Sequence, residues 1–202
     1  NWTVAATSIQ TAVSAATSSG DIIEIDGGLN GITYNGTITT VVSGVTIKGS
    51  SEATHNGRVT IDGSGEGTSV FTVNSHDNCV ISNLTIKGAD LGNYNLLIWT
   101  VANSLNISDV VLENGYRALR IGYANVTFER CLIENHSDSN HMIRMFGTTG
   151  IGRATFNNCI FKDNTGPIYY YDGEEVHFNN CLFVGNDVTV MNFIYSTSMP
   201  VY

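Results

Sequence analysis

Two arginines, Arg120 and Arg144, are the side chains in this sequence best suited to chemistry. They stand 24 residues apart, in Ala-Leu-Arg-Ile-Gly and Met-Ile-Arg-Met, and this alternation places both on the outer face of neighbouring strands. Trp99 precedes them at a similar spacing, and Tyr169 and Tyr171 follow. Guanidinium groups form bidentate hydrogen bonds with carboxylates, and aromatic rings stack on sugar faces. These five residues therefore predict a surface that binds an acidic carbohydrate.

The same residues also have a purely structural interpretation, in which the aromatic rings pack under a loop and the arginines pair with acids such as Glu134. Catalysis would need more than binding. A lyase needs a base and a group that neutralises the substrate carboxylate, and a hydrolase needs two neighbouring carboxylates. Asp62, Asp90 and Asp109 are scattered over separate turns. We therefore expect no catalytic residues, with a polysaccharide lyase or hydrolase as the alternative.

A loop between two repeats, His136-Ser-Asp-Ser-Asn-His141, contains two histidines and an acid. A metal centre would need a third or fourth ligand held rigidly, whereas polar residues in a long loop are more often solvated. We expect neither a metal nor a cofactor here. Glycosylation is expected at five of the six Asn-x-Ser/Thr sequons, because Asn83 falls in a tight bend. The five are Asn1, Asn35, Asn106, Asn125 and Asn135.

The elements that position these residues follow from five segments that can be superimposed. They are Cys79–Gly88, Leu105–Asn114, Val126–Asn135, Ala154–Asp163 and Val176–Gly185. Each alternates apolar and polar residues, which predicts a strand with one buried face. Their starts lie 26, 21, 28 and 22 residues apart, too short for a strand–helix–strand unit. A fixed motif with variable loops is typical of a solenoid.

We therefore predict a right-handed, single-stranded parallel β-helix of about 8 rungs. Two interior columns should stack like on like. One is Ile81, Ile107, Phe128, Phe156 and Phe178, and the other is Ile86, Leu112, Ile133, Phe161 and Phe183. Bends should fall at residues that tolerate the left-handed region. These are Asn83, Asp109, Arg130, Asn158 and Asn180 after the first strand, and Asn114, Asn135, Asp163 and Gly185 after the second.

The four cysteines could serve either of two purposes. Cys131, Cys159 and Cys181 share one repeat position, while Cys79 lies elsewhere. Adjacent rungs are close enough for disulfides, but parallel Cβ vectors favour free thiols packed in the core. We expect free thiols, with bridges as the alternative.

A short amphipathic helix should close the N-terminal end of the core. Ile9, Ala12, Val13 and Ala16 recur at helical spacing, and Gly20 follows where a helix would stop. We expect a single domain over 1–202. It would comprise a cap helix over 7–19, rungs over 21–187 and a C-terminal rung or tail over 188–202.

The opening of the chain resembles that of the pectate-lyase-like right-handed β-helix superfamily, in Ser19–Gly27 and Gly44–Gly49. The later Phe-Asn-Asn-Cys rungs resemble adhesin-like surface proteins of archaea and bacteria. The resemblance implies the fold, while the superfamily includes lyases, hydrolases, adhesins and structural coats. Calcium is implied only if the lyase alternative holds. Asn114–Gly122 resembles a stretch of alginate and chondroitin lyases, which pair Lys with Arg, and no lysine completes such a pair here.

Composition excludes several classes of protein. The 202 residues carry a net charge of −9 with only three lysines, so we expect no nucleic-acid partner. No apolar run is long enough to span a membrane. The chain begins at Asn1 without Met or a signal peptide, which we interpret as a mature secreted product or an excised domain.

The C-terminal segment, 188–202, is apolar and strand-like, and no charged cap follows it. An unprotected end rung would stack on another subunit, continue in a longer parent or be covered by the tail. We therefore expect a secreted or cell-surface, adhesin-like structural protein that self-associates and contacts surface glycans. The alternative is a lyase, a hydrolase or a non-catalytic binder of acidic polysaccharide at Arg120 and Arg144.

Overall fold

A computed structural model describes residues 8–74, 78–99, 104–139, 141–146, 152–171, 175–187 and 191–194. One helix, α1 (Ile9–Ala15), precedes 21 strands, and each strand pairs in parallel with its equivalent in the neighbouring turn. The strands form three sheets of seven, so the described residues contain seven rungs, close to the expected eight. The class is the expected one, a right-handed parallel β-helix.

Each rung contributes one strand to each sheet, in the order A, B, C. Sheet A contains β1 (Ile22–Ile25), β4 (Thr46–Gly49), β7 (Val80–Ser82), β10 (Leu105–Ser108), β13 (Asn125–Glu129), β16 (Arg153–Asn157) and β19 (Glu175–Asn179). Sheet B contains β2 (Ile32–Asn35), β5 (Val59–Asp62), β8 (Leu84–Lys87), β11 (Val111–Glu113), β14 (Leu132–Glu134), β17 (Ile160–Lys162) and β20 (Leu182–Val184). Sheet C contains β3 (Ile38–Thr39), β6 (Phe71–Asn74), β9 (Tyr94–Trp99), β12 (Arg117–Gly122), β15 (Ile143–Phe146), β18 (Ile168–Tyr171) and β21 (Met191–Ile194).

Both predicted interior columns are confirmed. Phe128 is the register partner of Phe156, and Phe156 of Phe178, with ring centroids 4.6 and 5.2 Å apart and planes inclined by 11°. In the second column Phe161 stacks on Phe183 at 4.7 Å. Stacked rings that bury their whole faces keep neighbouring rungs in register, because a slip of one residue would turn each ring outward.

The predicted bends are also confirmed. All five residues between sheets A and B adopt φ between 53° and 56°. Between sheets B and C, φ is between 49° and 66° at Asn114, Asn135, Asp163 and Gly185. Arg130 is an unusual choice for this conformation. Its side chain is fixed by two hydrogen bonds to the Asp109 carboxylate, at 2.8 and 2.7 Å.

Helix α1 covers the N-terminal end of the core, as expected, and its bounds are shorter than 7–19. Ser8 caps it by accepting a hydrogen bond from the Thr11 backbone. Val13 is 1% exposed and belongs to the core. Gln10 bonds both the N–H and the carbonyl of Thr39 in β3, so one side-chain amide takes the place of a further strand at the edge of sheet C. The division into a single domain stays a prediction.

All four cysteines are free thiols. Cys131, Cys159 and Cys181 stack as expected, and each donates a hydrogen bond to a backbone carbonyl of the preceding rung. Within the described ranges, no helix has the length and hydropathy required to cross a bilayer. The C-terminal segment contributes Met191–Ile194 to sheet C, and the rest of it lies outside the described residues.

Candidate functional site

The outer face of sheet C brings Arg120 and Arg144 together. Arg120 in β12 is the Cα register partner of Arg144 in β15, and Tyr169 of β18 comes next in the same column. Trp99 and Tyr171 belong to a parallel column two residues further along the strands. The structure describes the backbone of both tyrosines, so the predicted role of their side chains lies outside the described part of the chain.

A bulge at the start of strand β12 adds Arg117 to this face. The amides of Ala118 and Leu119 both bond the Met142 carbonyl, at 3.0 and 3.3 Å, and both side chains are buried. Two consecutive inward residues shift the alternation by one. Arg117 and Arg120 consequently share the outer face, whereas a strict period of two would have turned Arg117 inward with Leu119.

Aromatic rings hold the arginine side chains in place. The Arg120 guanidinium lies 4.6 Å from the Trp99 ring centroid and 5.9 Å from that of Tyr94. Arg117 lies 5.3 Å from the Tyr94 ring and 5.1 Å from the Tyr116 ring. Trp99 is 38% exposed, so its ring contacts the Arg120 guanidinium and is also accessible to solvent. We call Trp99, Arg117, Arg120 and Arg144 the arginine patch.

A buried carboxylate anchors one end of the arginine patch. Arg117 Nε donates to Asp138 Oδ2 at 2.5 Å, and the Asp138 side chain is fully buried. Burial alone would lower the pKa of Arg117, but the bond to Asp138 and the influence of Tyr94 outweigh it and raise that pKa. Arg117 Nη1 also donates to the Gly92 carbonyl at 3.0 Å. These contacts make Arg117 a fixed element of the patch.

His141 lies among the same groups. Its Nε2 is 3.4 Å from Tyr94 Oη, and its Nδ1 is 3.9 Å from Asp138 Oδ2. Burial and the positive charge of Arg117 lower the pKa of His141, and Arg144 and Arg120 add to this, while Asp138 acts in the opposite direction. The imidazole is therefore neutral at pH 7 and becomes cationic only in acid.

Charge is distributed in an unusual way around Arg120 and Arg144. Four opposite-charge pairs join register partners of neighbouring rungs: Glu24–Lys48, Asp62–Lys87, Glu134–Lys162 and Arg153–Glu175. The like-charged partners Glu113 and Glu134 lie between Lys87 and Lys162. The column with Arg120 and Arg144 instead continues to Leu97 and Tyr169, which carry no charge.

The neighbouring positive charges affect the pKa of Arg120. Burial lowers the pKa of Arg120, and the positive charges of Arg144 and Arg117 lower it further, although Tyr94 opposes this. Three of the chain's six arginines are thus gathered on one surface of a protein with net charge −9. Such a surface can hold an anion that the rest of the molecule would repel.

The prediction that the loop His136–His141 is solvated is wrong for His136 and Asp138, whereas Ser137 and Ser139 are exposed. His136 and Asp138 are each 1% exposed. The Asn95 amide donates to His136 Nε2 at 3.0 Å, and His136 Nδ1 donates to Asn164 Oδ1 at 3.0 Å. The ladder continues when Asn164 Nδ2 donates to Asn186 Oδ1 at 3.1 Å. Burial lowers the pKa of His136 to about 4, although the bond to Asn164 opposes this.

A polar groove of about 350 Å³ lies beside the arginine patch, at the corner between sheets B and C. It is lined by residues from four successive turns, which are Ser64, Gly88–Leu91, Asn114–Tyr116, Asn135 and Ser137. Gly115 forms part of the floor, because a Cβ at this position would meet Asn95 Oδ1 at 2.5 Å. Sequence reasoning did not find this groove.

Other predicted positions are distributed over the surface. Asn35, Asn106, Asn125 and Asn135 are exposed, Asn83 occupies its bend, and Asn1 lies outside the described residues. Whether any of these sequons is glycosylated stays a prediction. Glu134 pairs with Lys162 at 3.2 Å instead of with an arginine of the patch. Within the part of the chain that is described, no group of three or more His, Cys, Asp or Glu side chains could hold a metal ion.

The sequence matches no protein-family model and no curated protein sequence. The structure is similar to a pectin methylesterase variant in complex with a hexasaccharide, with a TM-score of 0.53 and 17% identity. That match covers 85% of this chain, which spans 62% of the length of the enzyme. A pectin methylesterase from Aspergillus niger matches with a TM-score of 0.44 and 12% identity, over 97% of this chain and 88% of the other. The first of these two likenesses supports the parallel β-helix fold.

Proposed function

We propose that this protein binds an acidic polysaccharide on the outer face of sheet C. The observation that carries the proposal is the stacking of Arg120 on Arg144 in a column whose other members are uncharged. Like charges on directly opposite strand positions destabilise a sheet. A carboxylate placed between the two guanidinium groups would turn this repulsion into attraction.

Each residue of the arginine patch has a distinct role in this proposal. Arg120 and Arg144 bind one uronate carboxylate by charge-assisted hydrogen bonds. Trp99, which is 38% exposed, stacks on the apolar face of a neighbouring sugar. Arg117 is held by Asp138 and Tyr94, so it supplies a fixed positive charge that attracts the polymer.

The structural neighbours support a polysaccharide as the ligand, because one of them is a pectin methylesterase in complex with a hexasaccharide. A pectin-like polyuronate is therefore the first substrate class to test. A polysaccharide-active enzyme, the alternative considered from the sequence, fits these neighbours better than an adhesin does. A secreted location follows from the proposal, since such polymers are extracellular.

Binding assays test the proposal. Polygalacturonate, alginate and chondroitin are compared with a neutral glucan by calorimetry, and turnover is followed by ester hydrolysis and by the ultraviolet absorbance of unsaturated products. We expect binding of at least one uronate polymer and none of the glucan. Binding without turnover would favour an adhesin-like role, and equal affinity for the neutral glucan would contradict the proposal.

A specific observation favours self-association as a second property. Sheet B carries an outward aliphatic column of Val111, Leu132, Ile160 and Leu182. Exposure rises along it to 38% at Ile160 and 54% at Leu182. Contiguous exposed apolar surface marks contacts with other proteins. Light scattering across concentration tests this, since Leu182→Glu should reduce any association, and a concentration-independent monomer would refute it.

A further inference from the structure

The groove at the corner of sheets B and C differs from the arginine patch in charge. Among the described residues that line it, Asp90 is the only acidic or basic residue. The other polar side chains are the amides of Asn114 and Asn135, the hydroxyls of Ser64 and Ser137, and the phenol of Tyr116. Amides and hydroxyls pair with sugar hydroxyls, whereas the Asp90 carboxylate repels a uronate.

The groove and the arginine patch are connected through contacts of Tyr116, Arg117 and Asp138. Tyr116 lines the groove, and its ring lies 5.1 Å from the Arg117 guanidinium. The Asp138 amide bonds the Tyr116 carbonyl at 2.9 Å, and the Asp138 side chain holds Arg117. Tyr116 immediately precedes β12 and lies four residue steps from Arg120, a distance of at most about 13 Å. One oligosaccharide that lies along β12 can therefore reach both sites.

Backbone geometry keeps the groove open. Asn114 and Asn135 adopt φ of 49° and 57°, and both side chains are exposed. Gly88 also has a positive φ, and a Cβ there would meet Ser64 Oγ at 2.4 Å and Asp62 Oδ1 at 2.5 Å. Asp90 is fixed by hydrogen bonds from the amides of Gly65 and Gly67 at 3.2 and 2.9 Å. The polar groups therefore have fixed positions before any ligand arrives.

We propose that this groove is a second subsite that accepts an uncharged sugar unit of the chain whose acidic unit is bound at Arg120 and Arg144. The inference rests on the proposed function and deepens it. The preferred ligand is a polymer that combines acidic and uncharged units. A fully acidic chain would place a carboxylate beside Asp90 and lose the contacts of the groove.

Calorimetry with two probes tests this subsite, using oligogalacturonate and the same oligosaccharide after partial methyl-esterification. We expect the esterified form to bind more tightly. Replacing the two groove asparagines (Asn114→Gly with Asn135→Gly) retains the left-handed backbone and removes both amides. This variant should bind the esterified form about tenfold more weakly, the effect of roughly one or two lost hydrogen bonds, and the acidic form unchanged. Asn158→Gly, at a left-handed bend between sheets A and B that does not line the groove, is the matched control.

A second variant addresses charge directly. Asp90→Asn keeps an oxygen for the turn and removes the repulsion, so it should raise the affinity for the fully acidic form. Tighter binding of that form to the native protein, or full affinity of the double variant for the esterified form, would overturn the subsite and leave the proposed function intact. If neither form binds, both proposals fail for this polymer class.

Discussion

Arg120 and Arg144 are register partners on neighbouring parallel strands, and the positions on either side of them in the same column are Leu97 and Tyr169. Elsewhere on the described surface, Glu24, Asp62 and Glu175 each have a cation as register partner. The positive charge of Arg144 helps to lower the pKa of Arg120, after burial, which is the larger cause. In the proposed function, a bound carboxylate offsets this repulsion between neighbouring strand positions.

Acid should destabilise this protein through His136. The pKa of His136 is lowered from 6.5 to about 4 in the folded state, so the unfolded chain binds a proton first as the pH falls. This contribution to stability is complete above pH 6.5 and is lost on acidification toward pH 4. It amounts to about 3 kcal/mol. The measurement is the free energy of unfolding by urea as a function of pH.

His136→Asn provides the comparison for that pH profile. Its amide can continue the ladder of Asn164 and Asn186 without titrating, so the fall in stability over this range should largely disappear. Thr155→Ala, on the outer face of β16, is the control, because it removes no titratable group and should leave the profile of the native protein unchanged. An identical pH dependence in the His136 variant would contradict this account.

Phe156 should be a large single contributor to stability. It is fully buried, and its ring stacks between those of Phe128 and Phe178. Phe156→Ala should cost about 3–5 kcal/mol, because the stack cannot collapse without shifting the rungs. Thr155→Ala, on the outer face of the same strand, should cost far less. Chemical denaturation of the two variants measures the difference, and equal losses would refute the packing argument.

The bends between sheets A and B should reject β-branched residues. Asn158 has φ of 54°, a conformation that costs side chains other than glycine and asparagine roughly 1–2 kcal/mol. Asn158→Val should therefore be less stable than Asn158→Gly by about that amount, since both variants lose the same amide. Thermal or urea unfolding would show this, and a valine variant as stable as the glycine variant would exclude strain at the bend.

The interior columns and the bends could be predicted from the sequence, because large apolar residues at a fixed offset leave few ways to bury them all. The outward position of Arg117 could not be predicted. In a strictly alternating strand, Arg117 would face inward with Leu119 and Ile121, and only the bulge at Ala118 turns it outward. Asp138, its partner, comes from an irregular loop with no periodicity to interpret. The alternation of apolar and polar residues therefore does not predict the positions of Arg117 and Asp138.

His136 was also misplaced, although the sequence did carry a signal for it. Asn164 and Asn186 each follow directly after a bend residue, and His136 occupies the equivalent position after Asn135. A column of polar residues one step beyond the bends indicates an internal hydrogen-bonded ladder. The sequence gives no comparable indication that Tyr94 contacts the arginine patch, because alternation places Tyr94 on the same inward face as the buried Leu96.

Ligand affinity should increase in acid through His141. The pKa of His141 is lowered by burial and by Arg117, so protonation adds a positive charge to the site only below neutral pH. A bound carboxylate raises that pKa, and binding is then accompanied by proton uptake. Affinity for oligogalacturonate should increase as the pH falls toward the range where the uronate itself is protonated. His141→Gln should flatten this dependence, and an unchanged slope would rule out His141 as its source.

The most direct test of the central claim is the affinity for oligogalacturonate of three proteins: the native chain, the Arg120→Gln/Arg144→Gln double variant and the Arg153→Gln control. Arg153 is an exposed arginine that pairs with Glu175 on sheet A. Loss of two charge-assisted contacts should weaken binding at least about a hundredfold, because each contributes roughly 1.5–3 kcal/mol. The control should bind like the native chain. Native affinity in the double variant, or an equal loss in the control, would contradict a binding site at Arg120 and Arg144.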